Sequence, residues 1–306
     1  MRVIITGATG FIGKALVKEL IEAGYEIVVL SRNPDRGKEL FGKGITVARW
    51  DGKSATGWGI YADGAYAIIN LAGENIGTGR WTQEKKESIL ESRLNAGKAV
   101  VEAVKLTQKK PEVVIQASAI GYYGSRLDEI VDETSSPGKG FLPDVAQRWE
   151  ASTEEVESSG VRRIIIRTGI VLGKEGGAFP RLLLPFRLFA GGPLGSGNQW
   201  FSWIHLQDEV RAIRFLMEKK GLQGVFNLTS PGHLKQKEFS KILGKVMKRP
   251  SWLPVSGLML RLLMGEMAEE LLLTGQRVTP KRLLEGGFTF LLSEAELAIQ
   301  EILRGI

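Results

Sequence analysis

Through the first half of the chain, short β-branched and apolar runs alternate with longer stretches whose apolar residues recur at helical spacing. This is the pattern of a parallel sheet with crossover helices. The runs are Val3-Ile4-Ile5-Thr6, Glu26-Ile27-Val28-Val29-Leu30, Ile45-Thr46-Val47-Ala48, Tyr66-Ala67-Ile68-Ile69-Asn70, Val113-Val114-Ile115-Gln116-Ala117 and Ile164-Ile165-Ile166-Arg167. Between the first two, residues 14–23 carry Ala15, Leu16, Leu20 and Ala23 on one helical face, and Gly24 is placed to end the helix. The pattern predicts an α/β fold, a doubly wound parallel sheet of Rossmann type over residues 1–175. A seventh run, Val225-Phe226-Asn227-Leu228, follows a Gly- and Pro-rich region and is expected to return to the same sheet near 224–229. Otherwise residues 176–250 read as substrate-side loops and 251–306 as a smaller, mostly helical extension. Within it, Leu258, Leu262, Met264, Leu271 and Leu272 among Glu266, Glu269 and Glu270 predict an amphipathic helix folded onto the substrate side, with a partner-binding helix as the rival.

Composition narrows the class. The 306 residues are 43% hydrophobic and 25% charged, which favours a globular chain over a disordered or membrane-embedded one. The sequence has no cysteine, so disulfides and thiolate metal sites are excluded and a reducing, cytoplasmic setting is expected. Two histidines, His205 and His233, are too few to suggest a metal centre. The N-terminus has no signal-peptide pattern, and the longest stretch without a charge, residues 188–207, is too rich in Gly, Pro, Asn and Gln to span a membrane. The net charge of +7 comes from Lys and Arg interleaved with acids. It argues against a nucleic-acid partner and gives a modest bias toward anionic small molecules.

The turn after the first run reads Gly7-Ala8-Thr9-Gly10-Phe11-Ile12-Gly13. Glycine triplets are weak signals alone, but this one follows a strand and opens a helix inside a βαβ unit, where backbone N–H groups can approach a dinucleotide pyrophosphate. The second strand is followed by Ser31-Arg32-Asn33-Pro34, without the carboxylate that would bind NAD ribose hydroxyls. A guanidinium there suits a 2′-phosphate, so NADP(H) is the expected cofactor. Asp51, after the third run, reads either as an adenine-side contact or as an ordinary turn aspartate.

The residues that follow resemble a known family. Thr9-Gly10-Phe11-Ile12-Gly13, Ser31-Arg32, Asn70-Leu71-Ala72-Gly73-Glu74-Asn75-Ile76, Ser92-Arg93, Tyr122-Tyr123-Gly124, Trp149-Glu150, Arg167-Thr168-Gly169-Ile170-Val171-Leu172-Gly173 and Trp203-Ile204-His205 are similar to those of the extended short-chain dehydrogenases/reductases. More narrowly, the chain resembles the NAD-dependent epimerase/dehydratase-like group related to human SDR family 39U and bacterial YfcH. Gly275-Gln276-Arg277-Val278-Thr279-Pro280 and Gly287-Phe288 resemble that group's C-terminal extension. The resemblance implies the fold and a cofactor, and no particular reaction. It implies a cofactor set of Gly7, Thr9, Gly10, Phe11, Ile12, Gly13, Ser31, Arg32, Leu71, Ala72, Gly73, Glu74, Arg93, Arg167 and Val171. Arg93 also has a plain alternative, a helix-surface ion pair with Glu91 or a neighbour.

Catalysis in this superfamily uses a tyrosine four residues before a lysine, the ammonium lowering the phenol's pKa. Aligned on the Trp149-Glu150 helix, Leu142 stands at the tyrosine position and Ala146 at the lysine position. The remaining candidates are Ser118, Tyr122 and Tyr123, with the two phenols read first as a packed aromatic lid. His205 and Asp208 are close enough in sequence to pair, and Phe201 and His205, with the 191–200 loop, to help wall a substrate pocket. Two functions therefore stay open: an NADP-dependent oxidoreductase or epimerase acting on a small carbonyl or sugar-like substrate, and a catalytically silent NADP(H)-binding sensor or regulator. A homodimer also stays open.

Overall fold

The computed structural model describes residues 1–42 and 44–304. In chain order the strands are β1 (Arg2–Thr6), β2 (Glu26–Ser31), β3 (Thr46–Arg49), β4 (Ala67–Asn70), β5 (Val113–Ala119), β6 (Ile130–Val131), β7 (Arg162–Thr168), β8 (Ile170–Leu172), β9 (Trp203–His205), β10 (Gly224–Leu228) and β11 (Arg277–Val278). The helices are α1 (Phe11–Glu22), α2 (Pro34–Phe41), α3 (Gln83–Leu106), α4 (Phe141–Ala151), α5 (Glu155–Ser158), α6 (Phe179–Arg187), α7 (Leu206–Glu218), α8 (Gln236–Met247), α9 (Gly257–Met264), α10 (Glu266–Ala268), α11 (Lys281–Glu285) and α12 (Ala295–Arg304).

Seven strands form one parallel sheet in the order β10-β7-β5-β4-β1-β2-β3. The run at 225–228 joins its edge, with Val225 opposite Ile165 and Leu228 opposite Thr168. Because both faces of a parallel sheet are covered, its strands are apolar on both sides. On β1, Val3 and Ile5 pack with α1 and α7 through Leu16, Leu20, Ile213 and Leu216. Ile4 packs to the other face with Val100 and Val104 of α3. The strand order reverses at β1, where β2 and β4 leave to opposite sides, so a crevice opens at the carboxyl edge there.

A third apolar cluster lies beyond the sheet, where Phe179, Phe186, Phe201, Phe239, Ala298 and Ile299 bring α6, α8 and α12 together. The helix expected over residues 258–273 is broken. Gly265 sits at φ 63°, ending α9 and starting α10, and a π-turn follows over Glu269–Leu273. Leu258 and Leu262 face solvent rather than the substrate side. Among the described residues no helix is long and apolar enough to cross a membrane.

Candidate functional site

A cleft of about 610 Å³ opens at the carboxyl edge between the glycine turn, the end of β2 and the segment after β4. The turn is built for close approach. Gly7 has φ 67°, and a Cβ there would lie 2.7 Å from Leu71 O. A Cβ on Gly13 would lie 2.3 Å from Gly7 O, so that glycine lets α1 pack onto β1. Gly10 differs from both: its nearest obstacle is Gly7 O at 3.1 Å, and it faces the cleft. As the N-cap of α1 it offers no side-chain acceptor, which leaves the first-turn N–H groups available to an anion.

The floor is fixed by a buried polar ladder across three strands. Thr6 donates to Asn70 Oδ1 at 2.6 Å and accepts from the backbone N–H groups of Leu71 and Ala72, both at 3.1 Å. Asn70 in turn donates to Gln116 Oε1 at 2.8 Å. The segment 71–74 is thereby held at the cleft. At the far end Arg32 and Arg36 line the opening, and no ion pair engages either guanidinium among the described residues. Asp51 also lines it, but its carboxylate accepts from Lys53 N at 2.7 Å and Ser54 N at 2.9 Å, which hold its pKa below the ordinary value.

Of the residues expected to hold a cofactor, Gly7, Thr9, Gly10, Ser31, Arg32, Leu71, Ala72, Gly73 and Glu74 line this cleft. Phe11 turns its ring onto the Gly173, Gly176 and Gly177 backbone, Ile12 packs into the core, and Gly13 lies beneath the turn. Val171 is buried in the same core. Arg93 is buried at the junction with a second cavity, where it donates to Glu74 O at 3.1 Å and Ile89 O at 2.9 Å and stacks on Trp149. These contacts replace the surface pair with Glu91; burial pushes its pKa down to about 10.

Arg167 faces neither cleft. Its Nε and one terminal nitrogen donate to the two Glu150 carboxylate oxygens at 2.8 Å each. The same Glu150 accepts the Ser118 hydroxyl at 2.6 Å. Arg167 also donates to the Tyr123 hydroxyl at 3.1 Å and stacks 3.3 Å from the centre of the Tyr122 ring, while Tyr123 donates to Asn227 Oδ1 at 2.7 Å. Burial raises the Tyr123 pKa to about 12. Ser118 and Tyr123 are thus committed to a buried network, and Tyr122 is the surface on which its guanidinium rests. This network was hidden in the sequence because Glu150 and Asn227 lie 32 and 104 residues from the groups they bind.

The second cavity, about 190 Å³, adjoins the first past Arg93. Leu142, Val145 and Ala146 of α4 form one wall, Ile120 and Ile170 another, and Leu271 of the π-turn closes over it. Leu142 and Ala146, the residues aligned from sequence with the superfamily's tyrosine and lysine, present hydrocarbon to this cavity. Trp200 is on the wall as the loop reading expected, but Phe201 is not: it stacks on Phe239 in the third core. His205 is buried away from the cavity with Nε2 2.9 Å from Glu301, and Asp208 accepts from the Leu291 and Leu292 backbone, so the two do not pair. Sequence reasoning passed over Thr168, which lines the cavity, and Glu209, which accepts its hydroxyl at 2.8 Å.

Comparison with known proteins agrees with this architecture. The profile of the NAD dependent epimerase/dehydratase family matches residues 3–229, and that of a domain of unknown function, DUF1731, matches residues 255–302. The epimerase family protein YfhF of Bacillus subtilis is 38% identical over 306 residues, covering 99% of this chain and 98% of that protein. A chloroplastic SDR39U1 homolog of Arabidopsis thaliana is 39% identical, with 99% and 87% covered. The crystal structure of human SDR39U1 (isoform 2) with NADPH superposes with a TM-score of 0.90 at 32% identity over the whole of both chains.

Proposed function

The chain belongs to the NAD dependent epimerase/dehydratase family, and from that premise we propose that it binds NADP(H) in the 610 Å³ cleft and acts as an oxidoreductase or epimerase on a small carbonyl or sugar-like substrate in the adjoining cavity. The observation that carries the reading is the cleft itself: a glycine turn with uncapped helix N–H groups at one end and Arg32 and Arg36, with no carboxylate at the carboxyl end of β2, at the other. The human relative's NADPH complex supports it. The first-turn amides of α1 would hold the pyrophosphate, Arg32 the 2′-phosphate, and residues 71–73 the nicotinamide half. When bound, the cofactor supplies hydride transfer.

Fluorescence titration tests the cofactor. NADPH should bind at least about tenfold more tightly than NADH, a difference of about 1.4 kcal/mol. Arg32→Ala should erase that preference; equal affinities in the native protein would refute it. A second reading, a silent NADP(H) sensor or regulator, is favoured by Leu142 and Ala146 on the cavity wall. NADPH oxidation across aldehydes, ketones and nucleotide sugars separates the two. Turnover with any of them excludes the sensor.

A further inference from the structure

Glu209, in the first turn of α7, is fully buried. Its Oε1 accepts the Thr168 hydroxyl at 2.8 Å, and its Oε2 has no partner among the described residues. A bare carboxylate in such surroundings is unfavourable, because burial removes the water that stabilises its charge. The nearby charges are all committed elsewhere. Asp208 is held by the Leu291 and Leu292 amides and Arg211, His205 lies against Glu301, Arg167 is paired with Glu150, and on α1, which packs along α7, Glu19 is paired with Arg214. Burial, opposed by the Thr168 hydrogen bond, pushes the Glu209 pKa up to about 8. The fold therefore favours the carboxylic acid over the carboxylate.

Thr168 ends β7 and lines the 190 Å³ cavity together with Leu142 and Ala146. A hydroxyl and a carboxylic acid can each donate to the other, so the same 2.8 Å contact carries a proton in either direction. We propose that Thr168 and Glu209 form a two-residue proton relay into this cavity, serving the role left vacant by the absent tyrosine and lysine. The proposal rests on the reading of the adjoining cleft as an NADP(H) site. In the reducing direction the cofactor supplies a hydride to the carbonyl carbon. As the carbonyl π bond opens, its oxygen takes the Thr168 hydroxyl proton, and the Glu209 O–H breaks while the Thr168 O–H is remade. The buried carboxylate regains a proton from water that enters once the alcohol leaves. The sum is carbonyl, NADPH and one proton giving alcohol and NADP⁺.

Thr168 would be the group that touches substrate, and Glu209 the one that supplies it with a proton. The test uses the full chain, its T168V, T168S and E209Q variants, and cyclohexanone as a small ketone probe. Infrared difference spectra at pH 7 should show a carboxylic-acid C=O band that E209Q removes. That band should shift when the ketone is added to the NADPH complex of the native protein, and should not shift in T168V. All variants should bind NADPH as the native protein does. Carbonyl reduction should fall by about 10²–10⁴-fold in T168V and E209Q and survive in T168S. Reduction should also decline above about pH 8 in the native protein, as the acid ionises. Native protein that does not bind NADPH overturns the cofactor reading and the relay with it. Native protein that binds NADPH but has no such acid band, or a band indifferent to the ketone, overturns the relay alone. So does undiminished turnover in T168V. If the native protein reduces no carbonyl offered, the infrared response decides.

Discussion

Gly10 and Gly13 share one turn but answer to different forces. A side chain at Gly10 meets a single backbone oxygen at 3.1 Å and otherwise projects into the cleft, whereas one at Gly13 would sit 2.3 Å from Gly7 O and 2.6 Å from Ala8 Cα. Gly10→Val is therefore expected to fold and to lose NADPH binding, as read by circular dichroism beside a fluorescence titration. Gly13→Ala is expected to lose stability instead, by about 1–3 kcal/mol, seen as an earlier urea midpoint. The turn was legible because glycines between a strand and a helix are a local signal, but the sequence groups Gly13 with the cofactor set and does not separate its packing role from that of Gly10. The roles of Ser118, Tyr123 and Arg167 were not legible, since their partners come from other elements. Glu209 shows the same limit and yields a pH prediction. Its folded pKa, about 8, lies above the ordinary 4.5, so folding favours the protonated form. The stabilisation is complete below about 4.5, declines as pH rises toward 8, and is gone above it. Melting temperatures measured through that window should fall more for the native protein than for Glu209→Gln; parallel curves would mean that Glu209 is ionised in the fold.

Among the elements, α4 carries two opposed features one turn apart. Its cavity face is hydrocarbon at Leu142 and Ala146, while Glu150, near its end, enters a bidentate ion pair with Arg167 on β7 and accepts Ser118 from β5. The helix is thereby pinned to two adjacent strands. Removing the carboxylate strands a buried guanidinium, and losing one member of such a pair costs about 3–5 kcal/mol. Glu150→Ala should show that loss in urea unfolding, whereas Leu142→Ala, on the cavity wall, should cost less. A comparable loss in both would mean that the pair is not what anchors α4. The main-sheet strands were legible as elements because buried parallel strands are continuous apolar runs. The residue 258–273 stretch misled, because its leucines fit a helical period while Gly265, at φ 63°, splits it into pieces that present Leu258 and Leu262 to solvent. Short pairs such as β8 with β9 and β6 with β11 have too few residues to carry a period, and are fixed only by the surrounding fold.

At the scale of the whole molecule, residues 255–302 match a separate family profile yet are woven into the rest of the chain. Val278 of β11 is fully buried against β6, and α12 places Ala298, Ile299 and Ile302 in one cluster with Phe179 and Phe239. The fully buried Asp208 carboxylate at the start of α7 depends on the Leu291 and Leu292 N–H groups, each 2.9 Å away. Each buried isoleucine contributes about 1.5–3 kcal/mol, comparable with a substantial share of a protein's net stability of about 5–15 kcal/mol. Loss of the segment would also leave Asp208 with Arg211 alone of its three donors and expose the face of α8. A chain ending at residue 254 is therefore expected to lack a cooperative thermal transition and to bind NADPH poorly, although every residue lining the 610 Å³ cleft is still present. Calorimetry and an NADPH titration on the shortened chain check this. A sharp transition with native affinity would show instead that the sheet and its cleft fold without the extension.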